Sequence, residues 1–445
     1  MLRNLILQIG LGLRLSNNFI IFKNPHLLGV FFYFYIMLTK NNIFLILLGF
    51  TFFIPSFGAI DLVAPKTLYL SIINLTFLFI SKREVVSLLK NPELIFKCYF
   101  LIFVLSIISV FSSLNIPESI IYSLQFFVFF STLISFYIIF NNSEDIFFIF
   151  PFFLFCITFF EIVYLIDDLF LLGFNFNTRF SGSGSFSNIN ISSFSLLFKI
   201  PFIVLLFDQT KSKLLKPLIV IVLFLSVFFI LAQASRAAII ILIGFLFFYF
   251  AYLLINKLFK FQVVILFISF LLFSGISSFQ SNDNLIISRL ESVSNNFADD
   301  SSITYRLNLY KGAISSFFDH PFLGVGGGNY KLTSISYSKD YINGYVIPYH
   351  THNDFLEILT ELGVFGFVIY SSIFIILFFY LFKIILASSS HFNIWISLTS
   401  LLSLSSFFID SLFNFPASRA VQQILFMSLI AFVVILFKNH KTQND

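Results

Sequence analysis

The segment Tyr349-His350-Thr351-His352-Asn353-Asp354-Phe355-Leu356-Glu357 places imidazoles, an amide and carboxylates at the mouth of an apolar helix. Ionisable groups beside membrane helices are costly to place, which makes a functional role the default reading. His352 is the strongest catalytic candidate, standing just outside a helix start with Asn353 and Asp354 beside it. An imidazole poised near neutral pH can take the proton of an attacking sugar hydroxyl, typically worth about 10²–10⁴-fold in rate. The alternative is a boundary histidine satisfied by water. His350, two residues earlier, competes for the same role.

Arginines supply the second chemistry. Arg236 follows Gln233-Ala234-Ser235 and opens the apolar run Ala237 to Ile255, and Arg306 lies in Tyr305-Arg306-Leu307-Asn308-Leu309-Tyr310-Lys311. Guanidinium groups bind phosphate oxygens bidentately and stay charged at physiological pH, so this pair would suit a lipid-linked diphosphate. The competing structural roles are an ion pair of Arg306 with Asp299 or Asp300, and anchoring of a helix by Arg236. The glycines at 324 and 326–328 follow a helix and a His-Pro stop, not a strand, so they suggest neither dinucleotide nor P-loop geometry. No Asp-x-Asp or His/Cys cluster has metal-ligand spacing, and no metal or cofactor is expected. Lys199 lies mid-helix, where an isolated charge costs roughly 2.5–3.5 kcal/mol; it must snorkel inward or find a partner that spacing does not reveal.

The elements that position these residues are membrane helices. Only 11% of the 445 residues are charged and 58% are hydrophobic, with mean hydropathy +0.97. A soluble chain would carry about 25% charged residues, so the expected fold is all-α and polytopic. Apolar stretches at 42–60, 67–81, 98–116, 118–140, 146–166, 190–207, 215–233, 237–255 and 261–279 predict nine helices, and 361–382, 393–413 and 420–437 predict three more. The boundaries are a cytoplasmic or interfacial segment 1–41, helices 1–9 over 42–279, a large loop 280–352, helices 10–12 over 353–437 and a tail 438–445. Leu27 to Leu38 is too short to span and reads as interfacial, with no cleavable signal evident around it. Cys98 and Cys156 sit inside apolar runs, as core residues rather than a disulfide or metal pair. The net charge of +5 is scattered between helices and points to no nucleic acid.

With a cytoplasmic N-terminus, fifteen Lys and Arg fall in inner segments. Only Lys66, Arg179, Arg236 and Arg419 fall in short outer connections. The positive-inside rule then turns the long loop outward. Positive residues are disfavoured in short translocated loops, so the outer arginines suggest something anionic on that side, although interfacial anchoring explains any one of them alone.

Within the loop, Ser302 to Asp319 reads as an amphipathic helix capped by Asp300, Ser301 or Ser302, with Leu307, Tyr310, Ile314 and Phe317 on one face. His320-Pro321 closes it, and the glycines after it read as a flexible turn. Asn353 or Asp354 caps the next helix, on which Glu357 and Glu361 are i,i+4 neighbours. Gly363 and Gly366 mark a face open to close approach by another helix.

Together these segments resemble the O-antigen ligase and polymerase superfamily of bacterial membrane glycan enzymes. Ser235-Arg236-Ala237 resembles the family's Ser-Arg-Gly/Ala at a periplasmic helix end. Arg306 with Tyr310, Ala313, His320, Pro321, Gly324 and Gly326 resembles its loop pattern. His352-Asn353, nine residues, Gly363, two residues, Gly366 fits the ligase histidine signature. Arg179-Phe180-Ser181-Gly182 with Asn188-Ile189-Asn190 is a looser match, because Ile189 stands where proline is usual. The resemblance implies a GT-C-like fold of about twelve helices with the large loop between helices 9 and 10, in the bacterial inner membrane with its active site facing the periplasm.

It also implies transfer of a preassembled glycan from undecaprenyl diphosphate to an acceptor hydroxyl, on lipid A–core or another surface acceptor. His352 would be the general base, Arg236 and Arg306 the diphosphate ligands, and Arg179, Asn190, His350, Asn353, Asp354 and Tyr310 supporting residues. The expected partners are the lipid-linked donor, the acceptor and membrane lipid. A repeat-unit polymerase uses the same groups, and a non-enzymatic transporter of lipid-linked sugar is the alternative of a different class. Transporters usually place charge along a midplane path between repeated halves, whereas here the polar candidates gather on one side.

Overall fold

A computed structural model describes residues 39–55, 57–58, 63–173, 178–186, 188–257, 260–280, 301–337 and 347–444. Its contacts divide the chain into Met1–Phe44 and Leu45–Asp445. Of the first unit only residues 39–44 are described; the second holds a helical bundle. The Leu27–Leu38 segment, Asp299 and Asp300 lie outside the described residues.

Among the described residues all regular structure is helical. In chain order the helices are α1 (Lys40–Phe50), α2 (Ala64–Ile80), α3 (Lys82–Lys90), α4 (Leu94–Ile108), α5 (Ile116–Asn141), α6 (Ile146–Leu172), α7 (Ile189–Gln209), α8 (Leu215–Ala232), α9 (Arg236–Ile255) and α10 (Phe261–Gln280). The loop region adds α11 (Ser301–Asp319) and α12 (Tyr330–Tyr337), and α13 (Asp354–Ala387), α14 (His391–Phe413) and α15 (Ala420–Asn444) complete the bundle.

Nine of these described helices are long and apolar enough to cross a membrane: α4 through α9 and α13 through α15. This is a multi-pass membrane protein. α1, α2 and α10 are shorter apolar helices at three further positions where the hydropathy pattern predicts spans. α7 and α15 form the centre of the bundle, almost wholly buried; α7 packs on α14, α6 and α8, and α15 packs on α5 and α13.

Lys199, at the middle of α7, finds its partner in Glu161 of α6, and the two side chains are 0% and 1% exposed. Ser195 Oγ lies 2.5 Å from Lys199 Nζ, one helical turn away. A buried charge is tolerable only when paired and hydrogen-bonded, which accounts for a lysine at this depth.

α13 is broken at Gly363, whose φ of 65° and ψ of −166° belong to a region essentially reserved for glycine. The break frees backbone groups, and the loop takes them up. Val325 N–H donates to the Thr360 carbonyl at 3.0 Å and Gly326 N–H to the Glu361 carbonyl at 3.1 Å, while Val364 N–H donates to the Pro321 carbonyl at 2.9 Å. Irregular backbone at membrane depth persists only where protein satisfies it. Gly324, with φ of 67°, lies so close to the Glu361 backbone that a Cβ would overlap it.

The glycine-rich segment is therefore not a flexible turn. It is wedged between α13 and the start of α5, where Ser119 Oγ donates to the Gly327 carbonyl at 2.8 Å and buried Asn329 Nδ2 donates to Ser119 Oγ at 2.7 Å. Nor do Gly363 and Gly366 admit a neighbouring helix. The backbone of Phe322 and Leu323 approaches Gly363, and the nearest atoms to Gly366 belong to Leu362 and Ile358 of α13 itself.

The amphipathic face of α11 is rotated from the expected one. Leu307 and Ile314 are exposed, whereas Leu309, Ala313 and Ser316 are buried. The small residues let α11 lie close to α13, with Thr360 Oγ1 donating to the Ala313 carbonyl at 3.2 Å. Close approach outweighs side-chain hydrophobicity in choosing this face.

Candidate active site

His352 stands two residues before α13 in a left-handed conformation, φ 59°, which costs an L-residue roughly 1–2 kcal/mol. Its neighbours hold it there. Asn353 caps α13 through Oδ1, which accepts the Leu356 N–H at 3.1 Å, satisfying one orphan donor of the first turn. The Tyr310 hydroxyl of α11 reaches the His352 carbonyl at 3.2 Å and the Leu412 carbonyl of α14 at 3.3 Å, donating to one at a time. Three elements thus meet at one hydroxyl.

The His352 ring packs edge-on against Phe415, centroids 5.1 Å apart. Its Nδ1 is buried without a hydrogen-bond partner among the described residues. Buried polar atoms are normally satisfied, so a buried ring nitrogen without a partner calls for a role beyond packing. Burial, then the positive charge of Arg306, then that of His350 hold the imidazole down to about 4 against a partial counter-effect of Glu357. At neutral pH the ring is uncharged and able to accept a proton. Burial also pushes the Tyr310 phenol up, opposed by Arg306, so Tyr310 stays a donor.

His350 is built differently. Its Nδ1 lies 2.9 Å from Glu357 Oε1, and the other Glu357 oxygen accepts the Thr351 N–H at 2.9 Å. Its ring stacks on Phe415 with centroids 4.2 Å apart and 12° between planes. Asp354 supports this ring from below: its Oδ2 accepts the Ala417 N–H at 3.0 Å, fixing the 414–419 turn that carries Phe415 and Arg419. Asp354 thereby positions a turn through that hydrogen bond. The Arg419 guanidinium lies 4.9 Å from the centroid of the same Phe415 ring.

A second cluster surrounds the α8–α9 turn. Arg179 Nε donates to the Gln233 carbonyl at 2.6 Å, and its terminal nitrogen donates to Asn190 Oδ1 at 2.6 Å. Fully buried Gln233 donates to the Gly182 carbonyl and to Ser192 Oγ, both at 3.0 Å, and accepts from Ser193 Oγ at 2.7 Å. Ala234 adopts φ 48°, and after Ser235 the half-buried Arg236 begins α9. α15 is tied to the start of α7, where Gln422 Nε2, three residues beyond Arg419, donates to the Ile191 carbonyl at 3.1 Å.

Arg236, Arg306, Tyr310, His350, His352, Asn353 and Asp354 all lie in one stretch that can be compared with known families. Residues 221–371 match the O-antigen ligase family. The match covers about a third of the chain, and that segment is similar to membrane glycan enzymes of the ligase and polymerase type. No curated protein matches the chain.

The segment similar to the O-antigen ligase family thus contains one cluster of His352, His350, Asn353, Tyr310 and the charge of Arg306, with Arg236 beginning the helix next to the Arg179–Asn190–Gln233 cluster. Sequence spacing does not reveal Glu357 as the partner of His350 seven residues away, nor Phe415 as the ring both histidines contact. Arg419 carries a signal, being a cation in a short connection that the charge pattern predicts to lie outside. Gln233 carries none beyond adjacency to Ser235-Arg236.

Proposed function

We propose that this protein is a glycosyltransferase of the O-antigen ligase type. It transfers a preassembled glycan from undecaprenyl diphosphate to an acceptor hydroxyl, on lipid A–core or another surface acceptor, at the periplasmic face of the bacterial inner membrane. The observation that carries the proposal is the neutral His352 ring under the charge of Arg306, its buried Nδ1 without a partner among the described residues, inside the segment that matches the family. The proposed topology has twelve spans, α1, α2 and α10 included, with the loop of α11 and α12 outside. The scarcity of positive charge in the outer connections supports it.

In the proposed reaction the acceptor oxygen attacks the anomeric carbon as His352 removes its proton. A glycosidic C–O bond forms while the bond from that carbon to the diphosphate oxygen breaks, and the electron pair leaves on the diphosphate. Direct displacement inverts the anomeric configuration. The leaving group is already stable as an anion, so no general acid is required. Arg236 and Arg306 stabilise its developing charge in a partly dry site. A base held down to about 4 is weak for this task. Diphosphate bound at Arg306 would offset that cation and raise the imidazole towards the range where a base works best.

The test is a reconstituted assay of purified protein with lipid-linked donor and two acceptors, core lipid and a second lipid-linked repeat unit. Transfer to core lipid, abolished by His352→Ala, is the expected result. Transfer only to the second repeat unit would make the enzyme a polymerase. Passage of intact donor across vesicles without any transfer would replace the enzyme by a transporter.

A further inference from the structure

α3 takes no part in the histidine and arginine clusters. It joins α2 to α4, whose other ends meet segments flanking the candidate site. Lys66, in the first turn of α2, donates to the Ser185 carbonyl at 3.1 Å, and Ser109, just after α4, accepts the Gly327 N–H on Oγ at 3.3 Å. α2 is 17 residues long and α4 is 15. At 1.5 Å per residue this sets α3 about 20 Å or more away, at the opposite end of the bundle. The proposed topology makes that the cytoplasmic end.

The nine residues Lys-Arg-Glu-Val-Val-Ser-Leu-Leu-Lys divide between two sides of the helix. Leu88 is buried against the bundle, and half-buried Glu84, one turn earlier, shares that side. Lys82, Val86, Leu89 and Lys90 recur at i, i+4, i+7 and i+8 and are all exposed, with exposed Arg83 beside them. Among the described residues no acid pairs with Lys82, Arg83 or Lys90. In the chain this face is flanked by exposed Phe79 and Ile80 at the end of α2 and exposed Leu94 at the start of α4.

A surface that mixes such cations with exposed aliphatic side chains is poorly served by water alone and by hydrocarbon alone. At the membrane–water boundary both kinds are satisfied. Val86 and Leu89 can enter the acyl region while the long stems of the cations reach the head groups. An acidic protein would engage the cations but leave the flanking Phe79, Ile80 and Leu94 to find another cover, whereas lipid covers them all. Three cations without a compensating acid also favour an anionic head group over a zwitterionic one, whose own cation they repel.

We infer that α3 is an interfacial helix that binds anionic phospholipid, with Lys82, Arg83 and Lys90 on the phosphates and Val86 and Leu89 among the acyl chains. The site lies at the other end of the bundle from His352 and does not depend on the glycan-transfer reading.

Binding is measured on purified full-length protein in nanodiscs of phosphatidylcholine containing a phosphatidylglycerol probe with a photoreactive head group. Label is expected within 82–90, competed by unlabelled phosphatidylglycerol and not by added phosphatidylcholine. The mole fraction of probe needed for half-maximal label should rise about fivefold for each cation replaced, in Lys82→Gln, Arg83→Gln and Lys90→Gln, and the triple variant should lose the label. Equal labelling by a phosphatidylcholine probe, or label unchanged in the triple variant, overturns the site. Lys211→Gln with Lys213→Gln removes exposed cations from the same end of the bundle and should leave the label on α3 intact. An equal loss there would reduce the effect to general attraction and overturn the site as well. A photoreactive residue in place of exposed Ser87 keeps all three cations and reads the occupant in living membranes. A lipid adduct is expected, and a protein adduct in its place would make α3 a protein-docking helix and overturn the inference.

Discussion

Glu357 holds the His350 imidazole by Nδ1 at 2.9 Å, whereas the Nδ1 of His352, two residues on, is buried without a hydrogen-bond partner among the described residues. The histidines share Phe415 as a neighbour but cannot be equivalent. A carboxylate on one ring nitrogen fixes both tautomer and orientation. His350 is thereby a positioned ring, and it contributes to holding down the basicity of His352.

Replacing Glu357 by Gln removes a charge-assisted hydrogen bond worth about 1.5–3 kcal/mol. The turnover number is expected to fall by about ten- to a hundredfold with a smaller change in donor KM, since the carboxylate touches the histidine segment rather than either substrate. Steady-state kinetics with a parallel thermal melt checks this. Full turnover in a stably folded Glu357→Gln protein would leave the dyad without a role.

The pH profile should carry the signature of His352. In the free enzyme the acid limb of kcat/KM is expected at about 4, well below the ordinary histidine value of 6.5. The limb of kcat, which reports the substrate-bound enzyme, is expected higher, because bound diphosphate offsets Arg306. Arg306→Gln should raise the kcat/KM limb by removing the cation while burial still lowers it. Stability follows the same sign. With the folded value depressed, the unfolded chain binds more protons, so this group's contribution is full above pH 6.5 and declines as pH falls to about 4. A kcat/KM limb at 6.5 in the wild type would contradict the assignment.

Gly363→Ala tests the break in α13. The new methyl would meet the Phe322 backbone in a conformation that only glycine adopts freely. The strain alone is about 1–3 kcal/mol, and displacing Pro321–Gly326 would add the loss of three backbone hydrogen bonds. A lower melting temperature with loss of activity is expected. A neutral substitution would mean that α13 tolerates a regular helix there.

Much of this was legible in the sequence, for identifiable reasons. Each predicted span falls on an apolar helix because lipid imposes length and composition on a helix one residue at a time. Asn353 and the His-Pro stop were legible because caps and stops are local. Pairings set by tertiary contact were not. Glu161 and Lys199 are 38 residues apart, Phe415 reaches the histidines through a turn fixed by Asp354, and the rotation of α11 depends on how closely Ala313 can approach α13. The glycines after Pro321 signalled an unusual backbone, but only the freed carbonyls of Thr360 and Glu361 explain why it is needed.

The orientation can be tested without activity. Ser336 is exposed on α12, while Cys98 is buried and Cys156 half-buried in apolar helices. Ser336→Cys should therefore react with an impermeant maleimide in intact spheroplasts. Protection until the membrane is lysed would turn the loop, and the histidines with it, to the cytoplasm.

Arg236→Lys separates a charge from a shape. Arg236 opens α9 beside a turn fixed by Gln233 and Arg179, so the substitution leaves the supports of the turn in place. Lysine keeps the positive charge, which preserves long-range attraction for an anionic lipid. It loses the planar fork that can hold two oxygens of a diphosphate as the bond to the sugar breaks. If Arg236 acts on the leaving group, kcat should fall by about tenfold or more while donor binding changes less, because the lost contact matters most as charge develops. If Arg236 only anchors its helix, lysine should serve nearly as well, and unchanged turnover would remove it from the diphosphate site.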